Sequence, residues 1–92
     1  MTKKNILEKL KNVIDPELGV DIVSLGLVYK IETEKNKTKI VMTLTTPGCP
    51  FGPMFEAMIK NELGKDVAVE ITFDPPWNPS KVDEETRKAL GF

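Results

Sequence analysis

The stretch TKIVMTLTTPGCPFGPMFEAMIKNELG, residues 38–64, carries two periodicities separated by a stiff loop. Ile40, Met42 and Leu44 recur every second residue, the mark of a strand with one apolar face. Beyond the loop, Met54, Phe55, Met58, Ile59 and Leu63 fall on one helical face, and Gly64 closes the run as its C′ residue. This segment therefore reads as strand, loop, helix. Upstream, LVYKIET alternates Leu27, Tyr29, Ile31 and Thr33 against Val28, Lys30 and Glu32, and the polar KNK turn makes the two strands a hairpin. Downstream, DVAVEITF returns to period two with Val67, Val69, Ile71 and Phe73 aligned.

The flanks complete the pattern. Residues 2–14 place Ile6, Leu7, Leu10, Val13 and Ile14 at helical spacing behind Thr2 as N-cap, and Pro16 stops that helix by biasing Asp15 away from helical geometry. Residues 15–27 read mainly as ordered loop. DPPWNPS cannot be regular structure, because its three prolines remove amide donors and fix φ. DEETRKALGF closes the chain as a short helix with an acidic first turn and Gly91 as terminator. The order α–β–β–α–β–α predicts an α+β domain of two layers, a three-stranded sheet packed on helices, with residues 1–92 forming a single unit. Strand order is left open.

Charge and composition narrow the chemistry. Thirteen basic against fourteen acidic side chains give a net charge of −1, which supplies no field for nucleic acid or an anionic membrane. The lysines at positions 3, 4, 9 and 11, and at 35, 37 and 39, read as solvated faces of a helix and a hairpin. No apolar run approaches the roughly 20 residues that span a bilayer, and no secretory leader pattern is present. These features predict a cytoplasmic protein. There is no histidine, which removes Ser–His and Cys–His nucleophile pairs and the commonest metal ligand. A metal site would have to combine one thiolate with carboxylates, a second subunit or a small molecule.

The one cysteine, Cys49, lies in the loop between the second strand and the middle helix. That helix begins either with Gly52 as cap and Pro53 as first residue, or with Cys49 as cap and Pro50 leading. Both place the sulfur near the positive end of a helix, where thiolate is favoured over thiol. Gly48 permits close backbone approach, Pro47 and Pro50 stiffen the loop, and Thr45 and Thr46 offer hydroxyls to an anionic sulfur. A free cysteine also serves simply as a small buried hydrophobe; local sequence leaves both readings open. Two further clusters stand out. Asp15, Glu17 and Asp21 form an acidic patch that is explained equally by helix termination and solvation. Trp77, held in FDPPWNP, either caps the edge of the core or belongs to an aromatic docking surface.

Taken together, DPELGVDIVSLGLVY (15–29), TTPGCP (45–50) and FDPPWNPSKV with the final helix resemble the iron–sulfur assembly domain of SufT-type and phenylacetate-oxygenase D-type proteins. The same domain occurs in cytosolic iron–sulfur targeting subunits and at the front of some Mrp-type P-loop carriers. The resemblance spans nearly the whole chain, and the three segments in this order make it specific. It implies a small α/β domain acting in the maturation or repair of iron–sulfur proteins, with Cys49 as the main functional residue. It marks Asp15, Glu17 and Trp77 as important, without assigned chemistry, in supporting or docking roles. The stretch ending at Phe92 has neither the cysteine-rich tail of the D-type subunits nor a P-loop, so the expectation is the bare domain without ATP-driven carrier activity.

The resulting expectation is an accessory factor rather than a turnover enzyme, since a thiol peroxidase or reductase would lack both a resolving cysteine and a histidine. Iron or an iron–sulfur cluster would meet Cys49 in transit. One thiolate falls short of the roughly four ligands of a cluster, so none is expected to bind a monomer tightly. Partners implied are iron–sulfur carriers, scaffolds or client apoproteins, with a homodimer left open. The alternative is an adaptor that docks such proteins through the Trp77 loop without handling metal.

Overall fold

The computed structural model describes residues 2–16, 18–35, 37–45 and 52–91. Helix α1 spans Lys3–Leu10, strand β1 Val28–Glu34, strand β2 Lys37–Met42, helix α2 Gly52–Leu63, strand β3 Val67–Ile71 and helix α3 Glu84–Leu90. A single 3-10 turn at Pro79–Lys81 precedes α3. The predicted α+β order and three-stranded sheet are both present.

The sheet order is β1-β2-β3, with β1 and β2 antiparallel and β2 and β3 parallel. A tight turn through Lys35 (φ 51) joins the antiparallel pair. The parallel pair requires a crossover, which α2 supplies. The strand–loop–helix stretch is therefore the first half of a βαβ unit. Its pairing runs from Thr38↔Val67 to Met42↔Ile71, and Thr72 N–H extends it by donating to the Met42 carbonyl at 2.8 Å.

One apolar cluster holds the layers together. Ile6 and Leu10 of α1, Ile40 and Met42 of β2, and Phe55 and Ile59 of α2 are all buried. So are Ile22, Leu25 and Leu27, so the segment read as loop carries three core side chains. Each buried side chain of this size contributes about 1.5–3 kcal/mol. The opposite face of the sheet is polar, where Lys39 pairs with Glu70 at 3.1 Å across β2 and β3.

Two local expectations need correction. Helix α1 ends at Leu10 rather than running on to Ile14. Val13 and Ile14 are β-branched and pair with the returning chain instead: Ile22 N–H donates to Val13 O at 3.0 Å, and Ile14 bridges Asp21. Strand β1 does not alternate evenly either. Val28 faces Met42 while Lys30 faces Val41, so β1 has one extra residue at Tyr29. This bulge puts Val28 on the side of the core and turns Tyr29 to another use. At the other termini, Thr2 caps α1 through Asn5 N–H at 3.1 Å, as expected. Asp83 caps α3 through Thr86 N–H at 2.7 Å, and Gly91 closes it with φ 80.

Candidate functional site

Sheet topology decides where the singled-out segments meet. The parallel strands β2 and β3 end together, and β1 begins at that same end because it runs antiparallel to β2. Three segments therefore share one rim: residues 21–27 entering β1, residues 43–45 leaving β2, and residues 72–78 leaving β3. Ligands of parallel βαβ units bind outside the carboxyl ends of the strands, which is this rim. Thr43 N–H donates to Leu27 O at 2.8 Å, tying the exit of β2 to the entry of β1.

The first and third connections are bonded to each other. Trp77 Nε1–H donates to the Leu25 carbonyl at 2.7 Å, and the ring packs half-buried against the core. Tyr29, displaced by the bulge, donates its hydroxyl to the Pro75 carbonyl at 2.8 Å. Burial raises the Tyr29 phenol above its ordinary range, although the Thr43 hydroxyl works against this, so the proton stays available for that bond. Lys81 Nζ lies 5.0 Å from the centre of the same ring, a cation–π contact. Asp83 N–H reaches Ser24 O at 2.9 Å. The Thr86 side chain and amide, with the Ser24 side chain adding to them, hold the Asp83 carboxyl below the ordinary carboxylate range.

Gly26 is where these two walls touch. Its φ is +72°, and a Cβ there would overlap the Lys81 carbonyl oxygen and lie 2.7 Å from the carbonyl carbon. A side chain fits neither the backbone geometry nor the space.

Of the residues singled out from sequence, Cys49, Thr46, Gly48, Pro50 and Glu17 lie outside the described residues. Thr45 is half-buried at the exit of β2, and Gly52 begins α2 beside Leu44, whose Cδ1 would lie 3.8 Å from a Cβ added there. Thr45 and Gly52 are the described residues that flank positions 46–51 in the sequence. Helix α2 starts with Gly52 as its first helical residue and Pro53 as its second, one residue earlier than a Gly52 cap would give. Asp15 is 4% exposed and builds the turn after α1: Oδ1 accepts from Leu18 N–H at 3.2 Å, while its own N–H donates to Val20 O at 2.8 Å. Asp21 Oδ2 accepts from Ser24 N–H at 2.9 Å. Both carboxylates organise backbone in the first connection. Among the described residues, no three acidic side chains are grouped to hold a metal ion.

Sequence reading missed Tyr29, Gly26, Lys81 and Ser24. The signal for Gly26 was available, a glycine between two leucines of the core; the bulge at Tyr29 left none. Trp77→Phe should lower stability by about 1 kcal/mol, the worth of the lost hydrogen bond, and Trp77→Ala by about 2–3 kcal/mol through lost packing as well. Urea unfolding of both variants checks this. Equal losses would show that the indole N–H contributes nothing.

Comparison with known proteins agrees with this arrangement. Residues 3–77 match the model of a family described as iron–sulfur cluster assembly protein. The chain belongs to the iron–sulfur cluster assembly protein family. Among its relatives is the Fe-S protein maturation auxiliary factor YitW of Bacillus subtilis, 44% identical over 98% of this chain and 94% of that protein. The Fe-S protein maturation auxiliary factor SufT of Staphylococcus aureus is also 44% identical, over 86% of this chain and 97% of that protein. A crystal structure of a DUF59 domain from Bacillus anthracis superposes with a TM-score of 0.92 at 35% identity, covering 98% of this chain and 92% of that one. This member of the family shares the fold of that domain. Among its described residues, no helix is long and apolar enough to cross a membrane.

Proposed function

We propose that this chain is an accessory factor in the maturation of iron–sulfur proteins, with Cys49 as the sulfur that meets iron, a cluster in transit or a client cysteine. One observation supports it above the others: β2, which precedes the chain's one cysteine in the sequence, ends at the rim where the segments entering β1 and leaving β3 are bonded together. The relatives named as maturation factors support the same reading. Helix α2 runs 12 residues from that rim, so its N-terminal dipole favours a negative charge there. The cluster is cargo in this reading, since one thiolate leaves most of its roughly four ligand positions to carrier or client. Partners are then iron–sulfur carriers and client apoproteins, met in a reducing compartment such as the cytoplasm.

The adaptor reading draws on Phe73, which is 41% exposed beside the Trp77 segment. The rate of Cys49 alkylation by iodoacetamide against pH separates the two. An accessible thiolate reacts well below the ordinary thiol pKa of about 8.5. Slow modification at every pH would remove the sulfur chemistry and leave docking through the Phe73–Trp77 segment.

A further inference from the structure

We propose that the open edge of β1 pairs with the same edge of a second copy of this chain, giving a weak two-fold dimer with a continuous six-stranded sheet. Strand β1 is at one end of the sheet order, and among the described residues no strand covers its outer side. A groove of about 660 Å³ runs along it, lined by residues 28–33 of β1 and by Lys3 and Leu7 of α1. Leu7 is 36% exposed there. An unpaired strand edge is a template for another strand, and cyclic two-fold pairing closes both edges at once.

Charge identifies the occupant. Two β1 strands related by a two-fold axis pair antiparallel, and paired residues share a face of the sheet. Lys30 can then oppose position 30, 32 or 34 of the partner. The first register sets Lys30 against the partner's Lys30. The third sets Lys30 opposite the partner's Glu34 but brings Glu32 against the partner's Glu32 at its centre. Only the register centred on Ile31 sets Lys30 opposite the partner's Glu32, and does so twice. Within one chain Lys30 Nζ already lies 3.4 Å from Glu32, Glu32 faces Lys39 across the β1–β2 pair, and Lys39 bonds Glu70. That register continues the alternation of sign across the new junction without a break. On the other face, Ile31 meets its symmetry mate beside the Leu7 grooves. The bulge at Tyr29 ends regular pairing at Lys30, which keeps the contact short and the association weak.

The geometry also separates the two copies' rims. Beyond the last regular pair, Lys30 with the partner's Glu32, the two β1 strands run on in opposite directions, so their starts at Val28 lie toward opposite ends of the dimer. The two rims therefore fall at opposite ends of the dimer.

Sedimentation of the whole chain over a wide concentration range tests this. The mass should rise from the 10.3 kDa of one chain toward twice that value. Lys30→Glu should weaken self-association by about tenfold, since two attractive cross-strand pairs become repulsive. Glu32→Lys should do the same, and the double reversal Lys30→Glu with Glu32→Lys should restore it. Lys30→Glu is the primary variant because Glu32 also faces Lys39 within the chain. A one-chain mass at every concentration, or a dimer indifferent to Lys30→Glu, or failure of the double reversal to restore pairing, would each overturn the proposal.

Discussion

A chain carrying Cys49→Ser will restore no client enzyme activity in a strain that lacks the protein, whereas the wild-type chain restores it fully. Serine nearly preserves the size of the side chain, so packing and loop geometry change little. What disappears is an atom that ionises near neutral pH and binds iron as a thiolate. No other group can take over, because the chain has one cysteine and no histidine. The loss should therefore be complete rather than graded, with thermal stability close to wild type. Activity equal to wild type would refute a role for the sulfur and favour the docking reading.

Gly26→Ala is expected to produce the largest loss of stability among single substitutions at the rim. Two costs add at this position. An alanine in the left-handed region costs about 1–2 kcal/mol. Forcing its methyl group against the Lys81 carbonyl costs about 1–3 kcal/mol more through displaced backbone. Their sum is a large part of the 5–15 kcal/mol that holds a domain together. For a domain of this size, a midpoint drop of about 10 °C or more follows. Gly19→Ala is the matching control: its φ is +68°, but an added Cβ meets nothing within 4 Å. That variant should lose only the backbone cost. Equal melting midpoints for the two variants would show that the approach of Gly26 to Lys81 carries no energy.

How much of this was legible beforehand depended on the range of the interactions involved. Local periodicity identified the three strands and three α-helices found among the described residues, because the apolar residues of β2 and α2 declare their faces within a few positions. The N-cap of α1 at Thr2 and the terminator of α3 at Gly91 were readable for the same reason, whereas the cap at Asp83 was not singled out. Helix α1 was overextended because Val13 and Ile14 satisfy a helical pattern in isolation. Their pairing with Asp21 and Ile22 depends on a turn that only the folded chain closes. Strand order was beyond reach, since period two shows that a strand has an apolar face but not its neighbours.

The candidate site divides along the same line. Cys49 and Trp77 stood out by residue type alone. The bond from Trp77 to Leu25 spans 52 positions and that from Tyr29 to Pro75 spans 46, separations at which no short motif gives warning. The bulge at Tyr29 was hidden by alternation that looked regular in the sequence. Only the register against Met42 and Val41 exposes the additional residue.

The turn around Lys35 lies at the far end of the hairpin from the rim, since β1 runs away from Leu27 and β2 runs back toward Thr45. Foreign sequence spliced there, such as an epitope or a fluorescent reporter, would hang clear of the rim. Exposed hairpin tips of this kind accept insertions well. The protein can therefore be tracked or immobilised by its distal tip while the rim at the other end of the sheet stays uncovered.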